Sequence, residues 1–150
     1  MTGEDNPRVI VPPPLMFAAL IGAGLLIDSG PRAGAPVLLA AALLVVIGLG
    51  LIVSALGLFF RSRTRPEPWR PASVLVAAGP YRYTRNPMYL GLTLIGLALA
   101  LAFTSVAAAL LTLLAALVVD RTVIAREEAY LERRFGAAYR EYREHVRRWL

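Results

Sequence analysis

The chain has no cysteine, no lysine and a single histidine. Without thiols it forms no disulfide, runs no thiolate chemistry and builds no cysteine metal site. One histidine would leave any metal site to rest on carboxylates, so no metal centre is expected. All 16 basic residues are arginine, against 10 acids, for a net charge of +6. Charge is scarce overall, at 17% of residues, whereas 57% are hydrophobic and the mean hydropathy is +0.60. That is more apolar than a soluble domain of 150 residues carries. The composition calls for an integral membrane protein.

Fourteen of the arginines fall in two blocks, six from Arg61 to Arg85 and eight from Arg121 to Arg148. Both flank apolar spans, which marks them as cytoplasmic and as neighbours of anionic lipid. A basic patch can also bind nucleic acid, but topology explains these arginines more simply, and no nucleic-acid partner is expected.

Residues 1–14 are polar and then proline-rich, an interfacial lead-in. Leu15 to Ile27 is a first apolar run of 13 residues. The leader MTGEDNPR holds two acids and one arginine, unlike a secretory n-region, so the run reads as an uncleaved helix extended by Val9 to Pro14. After the turn DSGPRAG, Ala35 to Phe60 supplies 26 apolar or small residues, enough for a tilted span. Gly48, Gly50, Ser54 and Gly57 suggest close helix packing, as an internal face rather than a dimer face. A charged, proline-broken loop follows, and residues 61–88 close the first half.

From Tyr89 to Val119 the chain is apolar for 31 residues. One straight helix of that length would run about 46 Å, against a hydrocarbon core of about 30 Å. A hairpin is expected, reversing at Thr104 and Ser105, with the second arm continuing as helix through Asp120 to about Arg134. The expected fold is all-α: a polytopic membrane protein of about four transmembrane helices, the last two a hairpin, plus a cytoplasmic amphipathic C-terminal helix over 120–150. The whole chain reads as one membrane domain, with both termini cytoplasmic.

Two short segments carry most of the polar chemistry, GPYRYTRNPMYLG (79–91) and REEAYLERRFGAAYREY (126–142), and the hairpin returns them to one membrane face. Asn86 suits an N-cap and Pro87 the first helical position. The free N–H groups of that helix start can hold an anionic group. Arg82 and Arg85, interleaved with Tyr81, Tyr83 and Tyr89, fit either a binding site or an aromatic belt with snorkelling arginines. Leu131, Phe135, Tyr139, Tyr142, Val146 and Trp149 recur every three or four residues, one apolar face of an amphipathic tail that Gly136 can bend and that should lie on the membrane surface or lid the core. Glu127 and Glu128, so near lipid, need partners or a ligand, and Arg121 and Arg126 are within reach along the helix. A salt-bridged helical turn accounts for the acidic pair equally well.

The run SVLV at 73–76, the GPYRYTRNPMYLG segment, and EExxL followed by FGxxYxxY from Glu127 to Tyr142 together resemble the isoprenylcysteine carboxyl methyltransferase and phospholipid methyltransferase superfamily. The resemblance implies an integral membrane enzyme that uses S-adenosyl-L-methionine at the cytoplasmic helix ends and takes a lipophilic methyl acceptor from the bilayer. By position it implies cofactor contacts at Ser73, Val74, Leu75, Val76, Tyr81, Asn86, Pro87, Met88, Tyr89 and Glu127, with Glu128 completing the acidic pair. Carboxylates and tyrosine faces suit the cofactor's sulfonium and ammonium, and Arg85 or the helix start suits its carboxylate. Arg121 is the expected orienting residue for an acceptor carboxylate.

Two positions depart from the superfamily's pattern. Asn86 stands where many relatives have histidine, and Val123 where carboxyl-methylating relatives have arginine. Two rival readings remain: an NADPH-dependent sterol-type reductase, whose post-motif acid is here Leu92, and a non-enzymatic scaffold that binds lipid headgroups. The acceptor's identity and the oligomeric state are not legible in the sequence.

Overall fold

A computed structural model describes residues 12–61 and 74–150, and among them there are helices and no strands. Helix α1 spans Pro13–Asp28, α2 Ala35–Arg61, α3 Pro87–Ala102 and α4 Val106–Val119. A π-helical turn at Asp120–Ile124 joins α4 to α5, Ala125–Phe135, and α6 follows at Ala137–His145. The helices Ala35–Arg61 and Val106–Phe135 are long and apolar enough to cross a membrane, and Pro13–Asp28 and Pro87–Ala102 are shorter apolar helices. The protein is a helical membrane protein, as its composition requires.

The helices lie in the order α2, α3, α4, α1, with α1 also touching α3. In α2 the buried residues are Ala41, Gly48 and Ala55, a single stripe every seven residues, while Leu39, Leu43, Val46 and Val53 point outward. A helix apolar on every side belongs in lipid. Gly48 meets Gly91 of α3 so closely that a Cβ on Gly91 would lie 2.6 Å from the Gly48 carbonyl oxygen. On α1, a Cβ on Gly24 would lie 2.4 Å from Cα of Ala108. Small residues thus set the helix spacing. The expected packing face is corrected in part: Gly50 and Gly57 face open space, and the exposed Ser54 hydroxyl donates to its own helix, at Gly50 O. These three positions fall off the seven-residue stripe that turns toward α3.

The long apolar stretch does fold back where Thr104 and Ser105 were expected to turn it. Thr104 takes a φ of +47°, and Ser105 caps α4 by accepting from the Ala108 N–H at 3.0 Å. Asp28, the last residue of α1, accepts from the Ser105 hydroxyl and from the Ala107 N–H at 3.0 Å. Thr104 donates to Pro31 O at 2.9 Å, and Gly30 N–H to Phe103 O at 3.0 Å. One end of the bundle is therefore stitched by neutral and capping hydrogen bonds.

At the other end, α4 runs on into its charged extension, as expected, and the apolar part ends at Val119. Gly136, at φ +55°, stops α5. Beyond α6, Val146 is extended. The expectation of one amphipathic tail helix is corrected: Val146 and Trp149 leave the helical face and form a strap that folds back over the bundle. Residues Val9 to Val11, expected to lengthen the first helix, lie outside the described residues.

Candidate functional site

The strap, the start of α3 and the α4–α5 run meet at this second end of the bundle. Asn86 is the N-cap residue of α3, but its side chain makes no capping bond. Its Nδ2 instead donates to Arg148 O at 2.9 Å, and Thr84 Oγ1 donates to the same oxygen at 3.1 Å. The Arg85 N–H donates to Arg147 O at 2.9 Å. The expected cap is thereby corrected: the position is right, but the amide is committed to the strap, and α3 begins without a side-chain cap.

The two adjacent glutamates have opposite surroundings. Glu128 accepts from Arg85 at 2.8 Å and from Arg148 through both carboxylate oxygens. Glu127 accepts from the Tyr89 hydroxyl at 2.8 Å, and among the described residues no ion pair reaches it. Burial pushes the Glu127 carboxyl up to about 7, the Tyr89 bond opposing and the Glu128 charge adding to the shift. Burial and then the Glu127 charge also raise the Tyr81 phenol, which stays neutral. Tyr81 packs edge-on against Phe59 at 5.9 Å between ring centroids, and its carbonyl accepts from Tyr142 Oη at 2.7 Å. Arg85 is held by donating to Arg143 O and Val146 O at 3.0 Å, yet its buried Nε has no hydrogen-bond partner among the described residues.

A groove of about 420 Å³ opens beside this cluster, lined by Ala116, Leu117, Asp120, Arg148 and Trp149. Its apolar wall is the last turn of α4 and its polar wall is the strap. Trp149 Nε1 donates to Asp120 at 2.9 Å, and Arg148 bridges to Asp120 at 3.3 Å.

The sequence profile of phospholipid methyltransferases matches residues 36–138. The chain belongs to the phospholipid methyltransferase family. That makes it a membrane methyltransferase of the phospholipid and isoprenylcysteine type. An uncharacterized protein of Haemophilus influenzae is 49% identical over 63 residues, 42% of this chain and all of that protein. No solved structure matches the chain.

Within this methyltransferase the fold brings Tyr81, Arg85, Asn86, Tyr89, Glu127 and Glu128 to one end of the bundle. Pro87 is buried and Met88 half-buried in the first turn of α3. Val74, Leu75 and Val76 precede the short 3₁₀ turn at Gly79–Arg82 outside any helix, Val74 being exposed and Leu75 and Val76 half-buried, and Ser73 lies outside the described residues. Arg121 goes elsewhere: its side chain is 74% exposed and pairs with Asp120. The ion-pair partners of Glu128 are Arg85 and Arg148, not Arg121 or Arg126, the two arginines within reach along the helix; Arg121 sits in the π-turn on the outward side and pairs with Asp120. Arg148, Asp120 and Thr84 were not singled out in the sequence. Arg148 looks like one more arginine of a basic tail, and only the break at Gly136 hints that the last residues leave the helix.

Proposed function

We propose that the protein transfers a methyl group from S-adenosyl-L-methionine to a lipophilic acceptor, at the end of the bundle where α3 begins and α4 continues into α5. The observation that carries this is Glu127, a partly buried carboxylate with a tyrosine hydroxyl but, among the described residues, no cation beside it. A charge held this way is costly unless a ligand completes it. The donor set fits the cofactor: Glu127, with Tyr81 and Tyr89, suits a sulfonium or ammonium, and the orphaned Arg85 Nε and uncapped start of α3 suit a carboxylate. When bound, the cofactor supplies an activated methyl group. Ser73, Val74, Leu75, Val76, Asn86, Pro87 and Met88 form the rest of the proposed binding surface.

For in-line transfer the chain has two tasks, to align the acceptor and to exclude water. The strap and the tyrosines close the polar side. The groove past Ala116 and Leu117 gives a lipophilic acceptor a path from the bilayer to the ionic cluster, with both termini and the site on the cytoplasmic face, in keeping with the arginine blocks. Arg121, being exposed, would orient an acceptor carboxylate only from outside the cluster, so either a carboxylate or an amine acceptor fits the chain. Calorimetry in detergent tests the reading. Binding of S-adenosylhomocysteine supports it; binding of NADPH instead would favour a reductase, and binding of neither a lipid-binding scaffold.

A further inference from the structure

Arg148 lies outside every motif in the sequence, yet more of the site converges on it than on any glutamate. Its carbonyl accepts from Asn86 and Thr84, which tie it to the start of α3. Its guanidinium reaches Glu128 through Nε and one terminal nitrogen and Asp120 through the other. We infer that Arg148 is a positioning residue: it staples across the π-turn and so fixes which of the two glutamates faces Tyr89. The inference rests on the cofactor reading above for its meaning in catalysis, but its structural content stands apart.

What Arg148 holds in place is helical register. Asp120 opens the π-turn and Glu128 lies four residues beyond its end at Ile124, so the arginine holds both sides of the irregular turn. A π-turn takes up one extra residue within a helix, and such turns recur at functional sites. Relaxing it to α-helix would turn α5 by about 100°, the angle between successive residues. Glu127 and Glu128 are successive residues, so that rotation would move Glu127 off Tyr89. A planar guanidinium fork can grip Glu128 and Asp120 together, whereas a single ammonium cannot. With Glu128 neutralised by Arg85 and Arg148, Glu127 is left as the carboxylate open to a cationic ligand.

The test uses the full chain in detergent and two readouts. Amide hydrogen exchange is followed in wild type, Arg148→Ala and Arg148→Lys, and S-adenosylhomocysteine affinity is measured on the same samples. Arg148→Ala is expected to speed exchange at 84–89 and 120–128 by about tenfold or more while 102–108, at the far end, is unchanged. Its affinity should fall by about tenfold, and Arg148→Lys should recover only part of it, because charge without the fork restores one contact. Unchanged exchange at both segments together with unchanged affinity in Arg148→Ala overturns this inference alone, as does full recovery by lysine. Wild type that binds no S-adenosylhomocysteine overturns the cofactor reading and, with it, any positioning role in catalysis. Accelerated exchange everywhere, including 102–108, makes Arg148 a general stabiliser and also overturns the inference.

Discussion

Both ends of the helical bundle are crossed by polar networks, and the two differ in what they leave over. At the far end Asp28 caps α4 with Ser105 and Ala107, and every bond serves to turn the chain. At the near end Arg85, Glu128, Arg148 and Asp120 balance one another, yet among the described residues Glu127 is left with only a tyrosine hydroxyl. A structural network closes on itself; a binding site keeps a group that is unfavourable until a ligand arrives. That contrast, more than the number of polar residues, locates the chemistry.

The sharpest way to break the comparison is Glu127→Ala. Removing one partner of a desolvated charge pair costs about 3 kcal/mol, so S-adenosylhomocysteine affinity should drop about 100-fold by calorimetry while the protein remains helical. Unchanged affinity would place the site elsewhere in the fold. Next in size is Gly24→Ala, which forces a methyl against the Ala108 backbone. Overpacking of this kind costs about 2 kcal/mol, read as a lower Tm in detergent, with ligand affinity per folded molecule unchanged.

The pH dependence sharpens the contrast further. Because burial holds Glu127 protonated below about 7 in the ligand-free protein, a cationic ligand must bind its ionised form. Affinity should fall about tenfold for each pH unit below that value and level off above it. For stability the sign is opposite: the raised carboxyl favours the folded ligand-free protein at low pH, and that contribution is lost as pH rises through 7. Glu127→Gln should flatten both profiles. The smallest effect is expected at the far end, where Ser105→Ala removes a cap and costs about 1 kcal/mol. It should lower Tm and leave the affinity profile as it was.

Much of the architecture was legible because membrane energetics constrain it tightly. Thirty-one apolar residues cannot cross a bilayer once as a straight helix, and Thr104 with Ser105 offered the only polar turn near the middle. The pairing of Tyr89 with Glu127 across 38 positions follows from that reversal. The path of the strap was not legible, since Val146 and Trp149 keep a helical spacing in the sequence although α6 ends at His145 and Val146 is extended. The π-turn was hidden too, because its five residues have no composition of their own. With those two features in place Glu128 pairs with Arg85 and Arg148 rather than with Arg121 or Arg126, and no spacing rule connects either partner to it.

The most direct measurement of the central claim is transfer of label from tritiated S-adenosylmethionine into a native lipid extract, comparing wild type with Glu127→Gln. The account predicts label in the lipid fraction with wild type and little with the variant. Equal labelling by both proteins, or none with wild type, would contradict it.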